Sequence, residues 1–201
     1  MARPASTSKR TYRMVARAEA AAATQQRMLA TAFRHFSERP YDDVRLADIA
    51  RDAGVTVPTL HSSYGPKDRL FVAVWGWWAG PEVARREAAP VGNLEQAVRL
   101  LYDSYEEQGD AGLRLLAQEN RIPAVRQMTD AGRAYHRDWV TRTFAPVLEG
   151  VTGAARERRL TALIVATDLL VWKLLRRDMG IGRATAERIV IEMVAATKGA
   201  P

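Results

Sequence analysis

The chain has 201 residues, no cysteine and a formal net charge of +7, and these values limit both its size and its chemistry. This length accommodates one sizeable domain or two small ones. Without cysteine the chain cannot form disulfides, zinc–thiolate sites or a cysteine nucleophile. Its three histidines are scattered and lack the spacing of metal ligands. We therefore expect no metal site and no cofactor.

The positive charge is concentrated in the first part of the sequence. Residues 1–79 carry 12 Lys and Arg against 7 Asp and Glu, whereas residues 80–201 carry 18 against 16. A basic domain suits contact with nucleic acid, although any generally basic protein would have a similar excess. No apolar run is long enough for a transmembrane helix, and the polar, basic start does not resemble a signal peptide. We therefore expect no membrane association and a cytoplasmic location.

Residues 1–11 are polar and basic, and we expect a flexible arm there. Its cations could reach a phosphate or the minor groove of DNA, and a solvated tail is the alternative. A long helix then begins between Tyr12 and Glu19 and ends near Glu38, because Pro40 stops it. Apolar residues at helical spacing give this helix a buried stripe. The stripe consists of Met28, Leu29, Ala32, Phe33 and Phe36.

The stretch 46–64 predicts two short helices joined by a tight turn. Apolar residues at helical spacing mark the first helix, and Gly54 can adopt the positive φ that ends it. Thr56 is a good N-cap for the second helix, and Pro58 lies in the first turn, where its missing N–H costs nothing. This pattern is typical of a DNA-binding helix-turn-helix. A helical hairpin inside an all-α core would give the same spacing.

A new helix is expected after the break at Gly65 and Pro66, from Lys67 to about Trp78, ending at Gly80–Pro81. A cation at a helix N-terminus is electrostatically unfavourable. Lys67 would be tolerated there if an anion such as a phosphate binds at the same point. The helix would link the predicted two-helix pair to the rest of the chain.

The segment from about Arg17 to Trp78 resembles the N-terminal domain of the TetR family of transcriptional regulators. The residues that carry the resemblance are Ala32, Phe33, Phe36, Tyr41, residues 49–56 (Ile-Ala-Arg-Asp-Ala-Gly-Val-Thr), Thr59, Leu60, Tyr64 and Lys67. The resemblance implies an all-α protein with two parts. These are an N-terminal three-helix helix-turn-helix DNA-binding domain over residues 12–66 and a C-terminal helical ligand-binding and dimerisation domain over residues 67–201.

The resemblance also implies which residues meet double-stranded DNA. The expected phosphate contacts are Arg45, His61, Ser63, Tyr64 and Lys67. The expected base contacts, at the N-terminal end of the second helix, are Thr56, Val57, Pro58, Thr59 and Ser62. The chain departs from the family pattern at three of these positions, where the family has Ser or Thr (at 45), often Tyr (at 61) and often His (at 63). With no Arg, Asn or Gln in the helix, specificity would depend on DNA shape and apolar contacts.

Residues 81–201 are expected to be helical throughout. The Gly and Pro positions divide them into stretches of about 94–108, 111–121, 123–149, 154–178 and 184–197. Aromatic residues with a few polar tips could line a pocket for an apolar or aromatic small-molecule effector, although each is also an ordinary core residue. The candidate ligand contacts are Trp75, Trp78, Tyr102, Tyr105, Met128, Tyr135, Trp139 and Trp172.

Residues 160–175 are apolar nearly all round, so this helix must be buried on more than one side. In the TetR family the last two helices pair with their copies in a homodimer. An ordinary buried core helix is the alternative. The candidate interface residues are Leu163, Ala166, Leu170, Ile189 and Met193.

The motifs of common enzyme classes are absent, since the sequence has no G-x-S-x-G, no P-loop and no H-E-x-x-H. We therefore do not expect an enzyme. The sequence predicts a ligand-responsive regulator, a repressor rather than an activator, that binds a palindromic operator as a homodimer and is released by a small molecule. The alternative is a helical ligand- or protein-binding module that has lost specific DNA binding, as the departures at Arg45, His61 and Ser63 suggest.

Overall fold

The computed structural model describes the backbone of residues 6–199 and the side chains of residues 14–198. This part of the chain is all-α and contains no strand, which confirms the predicted fold class. The α-helices are α1 (Ser6–Glu38), α2 (Leu46–Asp52), α3 (Val57–Tyr64), α4 (Lys67–Glu87), α5 (Leu94–Leu116), α6 (Pro123–Thr143), α7 (Ala145–Leu148), α8 (Gly153–Ala166), α9 (Leu169–Lys173) and α10 (Arg183–Ala196). A π-helix, Leu174–Asp178, follows α9 directly. None of the helices described is long and apolar enough to cross a membrane.

The chain divides into two compact units between Trp77 and Trp78. The division lies inside α4, later than the predicted boundary before Lys67. The reason is that the first half of α4 belongs to the first core, where Phe71 and Trp75 are 1% and 4% exposed.

The first unit packs α1, α2, α3 and the first half of α4 around one apolar core. Three residues of the predicted α1 stripe, Met28, Ala32 and Phe36, are buried, and the other two are half-buried. The ring of Phe36 lies 5.1 Å from that of Phe71 in an edge-to-face contact. Aromatic pairs of this geometry stabilise a core beyond the area that they bury.

Helix α1 begins earlier than the sequence indicates. Its first residue is Ser6, so residues 6–11, expected to be part of a flexible arm, are helical. The remainder of the predicted arm, residues 1–5, lies outside the described residues.

Helix α4 continues through Gly80 and Pro81 as far as Glu87, so the prediction that these two residues end it is wrong. A proline inside a helix removes one backbone hydrogen bond. The turn after it is held by other contacts: Arg86 donates to Glu82 at 2.8 Å, and the indole of Trp139 donates to the Arg86 carbonyl at 3.1 Å.

The second unit is built from the rest of α4 and from α5–α10. Helix α5 runs without interruption past Gly109 and Gly112, where the sequence indicated a break. The predicted helix 154–178 is instead divided in two, because the Asp168 carboxylate accepts the Leu170 N–H at 2.8 Å and starts α9 as an N-cap. Pro146 lies in the first turn of the short helix α7, which begins after α6 ends at Thr143.

Candidate functional site

The turn between α2 and α3 has the geometry expected from the sequence. Gly54 has a φ of 67°, which glycine adopts without steric cost. The Thr56 hydroxyl accepts the Thr59 N–H at 3.2 Å, so it satisfies one of the unpaired donors at the start of α3. The Val55 N–H donates to the Ala50 carbonyl at 2.9 Å. These contacts fix the angle at which α3 leaves the turn.

Helix α3 is held to the first core by Leu60 and Tyr64 and presents its other side chains outward. Leu60 is 1% exposed, and Tyr64 is half-buried with its hydroxyl 3.4 Å from the Gln25 carbonyl. Burial raises the pKa of the Tyr64 phenol. The exposed residues are Thr56, Val57, Pro58, Thr59, His61, Ser62 and Ser63. All seven are predicted DNA contacts.

Most hydroxyl groups of α3 are engaged within the helix. Those of Thr56 and Thr59 lie 2.8 Å apart. Ser62 and Ser63 both donate to the Thr59 carbonyl, at 3.1 and 3.0 Å. The exposed surface therefore offers mainly methyl groups, the ring of Pro58 and the imidazole of His61.

Lys67 opens α4 but is partly covered. Its ammonium lies 4.4 Å from the centre of the Tyr41 ring and donates to the Asp42 carbonyl at 3.4 Å. Burial lowers the pKa of Lys67, while the carboxylates of neighbouring aspartates act against this shift. The three-donor ammonium stays compatible with a phosphate, provided that the phosphate approaches on the side away from the ring.

Arg45 occupies the N-cap position of α2 and makes no side-chain cap, as its guanidinium has no acceptor. Its side chain is exposed. The Arg45 guanidinium can therefore contact a phosphate without giving up a capping hydrogen bond.

Two polar residues of α1, not predicted from the sequence, hold α2 in place. Arg27 donates to the Ala53 carbonyl at 3.0 Å and so satisfies a free acceptor at the end of α2. Buried His35 lies 2.9 Å from the Asp52 carboxylate, and this hydrogen bond, with a second from Arg51, lowers the pKa of Asp52. Arg27 and His35 are polar residues of α1, and their spacing gives no pattern from which their hydrogen bonds to α2 could be predicted.

Of the predicted ligand contacts, Trp75 lies in the first unit and the other seven residues lie in the second. Trp75 is buried in the first unit, with its ring 5.3 Å from that of Phe33. In the second unit, Tyr105 donates to the Thr167 carbonyl at 2.9 Å and Trp172 donates to Glu106 at 3.1 Å. The buried members are Tyr102, Tyr105, Trp139 and Trp172, and the half-buried members are Trp78, Met128 and Tyr135.

The predicted dimer contacts divide into buried and exposed side chains. Leu163 and Ala166 are 0% and 3% exposed within a single chain and present no surface to a partner. Leu170 and Met193 are 55% and 38% exposed, and Ile189 is half-buried. Three further apolar residues in the same part of the chain are exposed and were not predicted as dimer contacts. These are Val165, Leu174 and Met179.

Comparison with protein families gives one match. Residues 28–74 match the model of the bacterial regulatory proteins of the tetR family. This range contains α2, α3, the turn between them, the end of α1 and the start of α4. A comparison with curated proteins finds no match.

Comparison with solved structures gives the same fold over nearly the whole chain. A transcriptional regulator from Rhodococcus sp. Rha1 is 16% identical, with a TM-score of 0.66 over 86% of this chain and 94% of the other. A TetR transcription regulator from Haloarcula marismortui is 17% identical, with a TM-score of 0.64 over 89% of this chain and 97% of the other. At such identities the likeness establishes the fold alone. Residues 28–74 therefore match the tetR family of bacterial regulatory proteins, and the described chain shares the all-α fold of these two solved regulators.

Proposed function

We propose that the chain is a ligand-responsive repressor that binds a palindromic operator as a homodimer and is released by a small molecule. The single observation that carries the proposal is the capped, outward-facing helix α3, since Thr56 caps its start and six residues within it, 57–59 and 61–63, are exposed. The N-terminal end of such a helix enters the major groove.

Base recognition in this proposal depends on apolar contact. Val57 is 39% exposed in the first turn of α3 and lies next to exposed Pro58. A thymine methyl group is the feature of the major groove that such side chains contact. Thr56, Thr59 and Ser62 complete the base-facing set, and their hydroxyls would have to exchange internal hydrogen bonds for bonds to bases.

Phosphate contacts would position this helix without reading sequence. Arg45 and His61 are exposed, and Lys67 retains part of its surface. Ser63 and Tyr64 are the last two residues of α3 and complete the proposed set. Arg45 precedes α3 in the chain and Lys67 follows it. We therefore expect this set to contact phosphates on both sides of the groove.

A homodimer would present two copies of α3 to the two halves of a palindrome. The exposed apolar residues of the second unit support an interface, because surface apolar patches mark sites of association. The proposed interface consists of Val165, Leu170, Leu174 and Met193, with half-buried Ile189 at its side. The predicted dimer contacts Leu163 and Ala166 are not part of this interface, because both are buried within a single chain.

Release by a ligand requires that the ligand bind the two states of the protein with different affinities. In this proposal the second unit binds the effector. The conformational change on binding alters the spacing of the two copies of α3 in the dimer. Helix α4, which begins at Lys67 and ends at Glu87, is the element that belongs to both units.

The proposal is tested by a mobility shift of the full-length protein on DNA from upstream of its own gene, with scrambled DNA as competitor. The expected result is a shift that the competitor does not remove. The variant Val57→Asp should abolish it, whereas Val91→Asp, at a 65% exposed apolar residue of the second unit, should leave it unchanged.

One observation favours a second candidate, a helical module without specific DNA binding. The hydroxyls of α3 are engaged within the helix, and α3 has no side chain that makes a bidentate base contact. This candidate predicts that scrambled DNA competes as well as the upstream DNA and that Val57→Asp has no effect.

A further inference from the structure

A buried polar cluster lies in the core of the second unit. Glu82 and Arg86 come from α4, Ser104 and Tyr105 from α5, and His136 from α6. Each of the five residues is at most 9% exposed. Charged residues are rarely buried to this extent, and burial of a charge is costly unless it is paired. We refer to these five residues as the Arg86 cluster.

The guanidinium of Arg86 is surrounded by acceptors and aromatic rings. It donates to Glu82 at 2.8 Å and to Ser104 at 3.4 Å. The rings of Tyr105, Trp139 and Tyr135 lie 5.5, 5.9 and 6.0 Å from its central carbon. The guanidinium also hydrogen-bonds the Tyr105 hydroxyl. Because a guanidinium has five N–H donors, these three partners leave donor capacity for a further acceptor. A carboxylate matches this group best, since it can accept two parallel N–H bonds.

His136 supplies an unpaired acceptor in the same core. Its Nε2 lies 3.1 Å from the Thr167 hydroxyl, which itself donates to the Leu163 carbonyl at 2.8 Å. The hydroxyl has one proton, so it accepts from Nε2–H, and Nδ1 carries the free lone pair. Nδ1 is buried and has no hydrogen-bond partner within the described residues. Buried polar atoms are seldom left unpaired, so a donor is missing at this point.

Arg86 and His136 both lie against Trp139. The central carbon of the Arg86 guanidinium is 5.9 Å from the centre of the Trp139 ring, and the ring of His136 stacks on it at 6.0 Å. Burial, followed by the positive charge of Arg86, lowers the pKa of His136 to about 4. The imidazole is therefore neutral at neutral pH, and it accepts a hydrogen bond there rather than repelling the guanidinium.

We propose that the Arg86 cluster binds an aromatic hydroxy acid, whose carboxylate pairs with Arg86 and whose hydroxyl donates to Nδ1 of His136. The aromatic rings around the guanidinium provide the apolar surface for the ring of such a ligand. This inference rests on the proposed role of the second unit in effector binding and names the chemical class of the effector.

The ligand carboxylate would compete with Glu82 for Arg86. A second partner for Glu82 is already in place, because Nη1 of Arg85 lies 3.8 Å from its other carboxylate oxygen. Glu82, Arg85 and Arg86 all lie on α4. Ligand binding would thus replace the ion pair of Glu82 with Arg86 by its ion pair with Arg85, within α4.

The test uses the full-length protein and the ortho, meta and para isomers of hydroxybenzoate. The matched controls are the corresponding hydroxybenzyl alcohols, which keep the ring and the hydroxyl but lack the charge, and benzoate, which keeps the charge but lacks the hydroxyl. Affinity is measured by calorimetry. The hydrogen bond to His136 is measured from the nitrogen-15 chemical shift of Nδ1, which is resolvable because the chain has three histidines.

At least one hydroxybenzoate should raise the melting temperature and move the Nδ1 signal upfield. Its alcohol and benzoate should each bind roughly tenfold more weakly, as expected for the loss of one strong hydrogen bond. His136→Gln keeps a donor at the position of Nε2 but removes the Nδ1 acceptor, so it should bind hydroxybenzoate and benzoate equally. The double variant Glu82→Gln with Arg86→Met leaves no unpaired buried charge and should lose the preference for the acid over the alcohol.

Three results would overturn the inference: no binding by any isomer, equal binding of acids and alcohols, or an unchanged Nδ1 signal on binding. The mobility shift distinguishes this failure from that of the proposed function. A hydroxybenzoate that binds as described but leaves the DNA shift unchanged supports the ligand class and contradicts ligand release.

Discussion

The indole ring of Trp172 lies directly against the backbone of Gly109, so that a Cβ atom at position 109 would stand 2.5 Å from Cη2 of the ring. Gly112, one turn further along α5, meets Leu169 in the same way. These two glycines allow α5 and α9 to approach each other closely. They act in packing rather than in a turn, since α5 is continuous across both of them.

Replacing Gly109 with Ala should destabilise the second unit because the new methyl group overlaps the ring of Trp172. Overpacking of this kind costs about 1–3 kcal/mol. The matched control is Gly132→Ala in α6, where no atom lies within 4 Å of the new Cβ; it should stabilise the protein by roughly 0.5–1 kcal/mol. Urea unfolding of the two variants measures both effects. If the two variants have equal free energies of unfolding, the ring of Trp172 can move away from the new methyl group without a cost.

Replacing Thr56 with Ala should weaken the start of α3, because the Thr59 N–H loses its acceptor. Loss of an N-cap costs about 1 kcal/mol. Thr56→Ser keeps the hydroxyl and should retain most of the stability and of the DNA affinity. If the Ala and Ser variants have the same melting temperature, the cap does not contribute to the stability of the first unit.

These contacts show which features the sequence predicts well and which it does not. The turn of Gly54, the cap of Thr56 and the buried face of α2 depend on neighbours in sequence, and the structure has them as expected. The break at Gly109–Gly112 was predicted wrongly, because a glycine that accommodates a distant indole ring has the same local pattern as a glycine in a turn.

The same limit applies to the candidate sites. The all-round apolar pattern of residues 160–175 and the resemblance to the TetR family made Leu163 and Leu170 equal candidates for dimer contacts, yet the first is buried within the chain and the second is exposed. Of the Arg86 cluster, only Tyr105 was predicted as a ligand contact. The cluster joins three segments, on α4, α5 and α6, that lie far apart in sequence, and the pairing of Arg86 with Ser104 and with the ring of Tyr105 follows from tertiary packing.

Replacing Leu170 with Glu should convert the proposed homodimer into monomers, because a charge would have to be buried in the apolar interface. Val91→Glu introduces the same charge at a side chain that is 65% exposed, outside the proposed interface, and should leave the dimer intact. Light scattering after size exclusion gives the molar mass of each variant. A dimeric Leu170→Glu variant would move the interface to another surface.

The stability of the second unit should depend on pH through His136. Its pKa is about 4 in the folded protein, against 6.5 for an unperturbed histidine, so the unfolded chain binds more protons between these values. The free energy of unfolding should therefore rise with pH across this window, by up to about 3 kcal/mol. His136→Gln should flatten the rise. Parallel curves for the two proteins would assign the titration to another group.

Replacing Lys67 with Ala should weaken binding to all DNA sequences alike and reduce its dependence on salt. Each lost phosphate contact lowers the slope of log affinity against log salt by about 0.9. Lys173→Ala is the matched control, since Lys173 lies in the second unit and pairs with Asp178 at 2.7 Å. Because Lys67 also contacts the Tyr41 ring, the melting temperature is measured alongside. An unchanged salt slope would remove Lys67 from the phosphate contacts.

The measurement that tests the central claim most directly is selection of DNA from a random-sequence pool by the full-length protein. Our account predicts an enriched palindrome whose half-sites are about one helical turn apart or a multiple of it. It also predicts that thymines in each half-site lose their enrichment with the Val57→Asp variant. A pool that stays random after selection, or a sequence enriched equally by Val57→Asp, would contradict the proposal that α3 reads a specific operator.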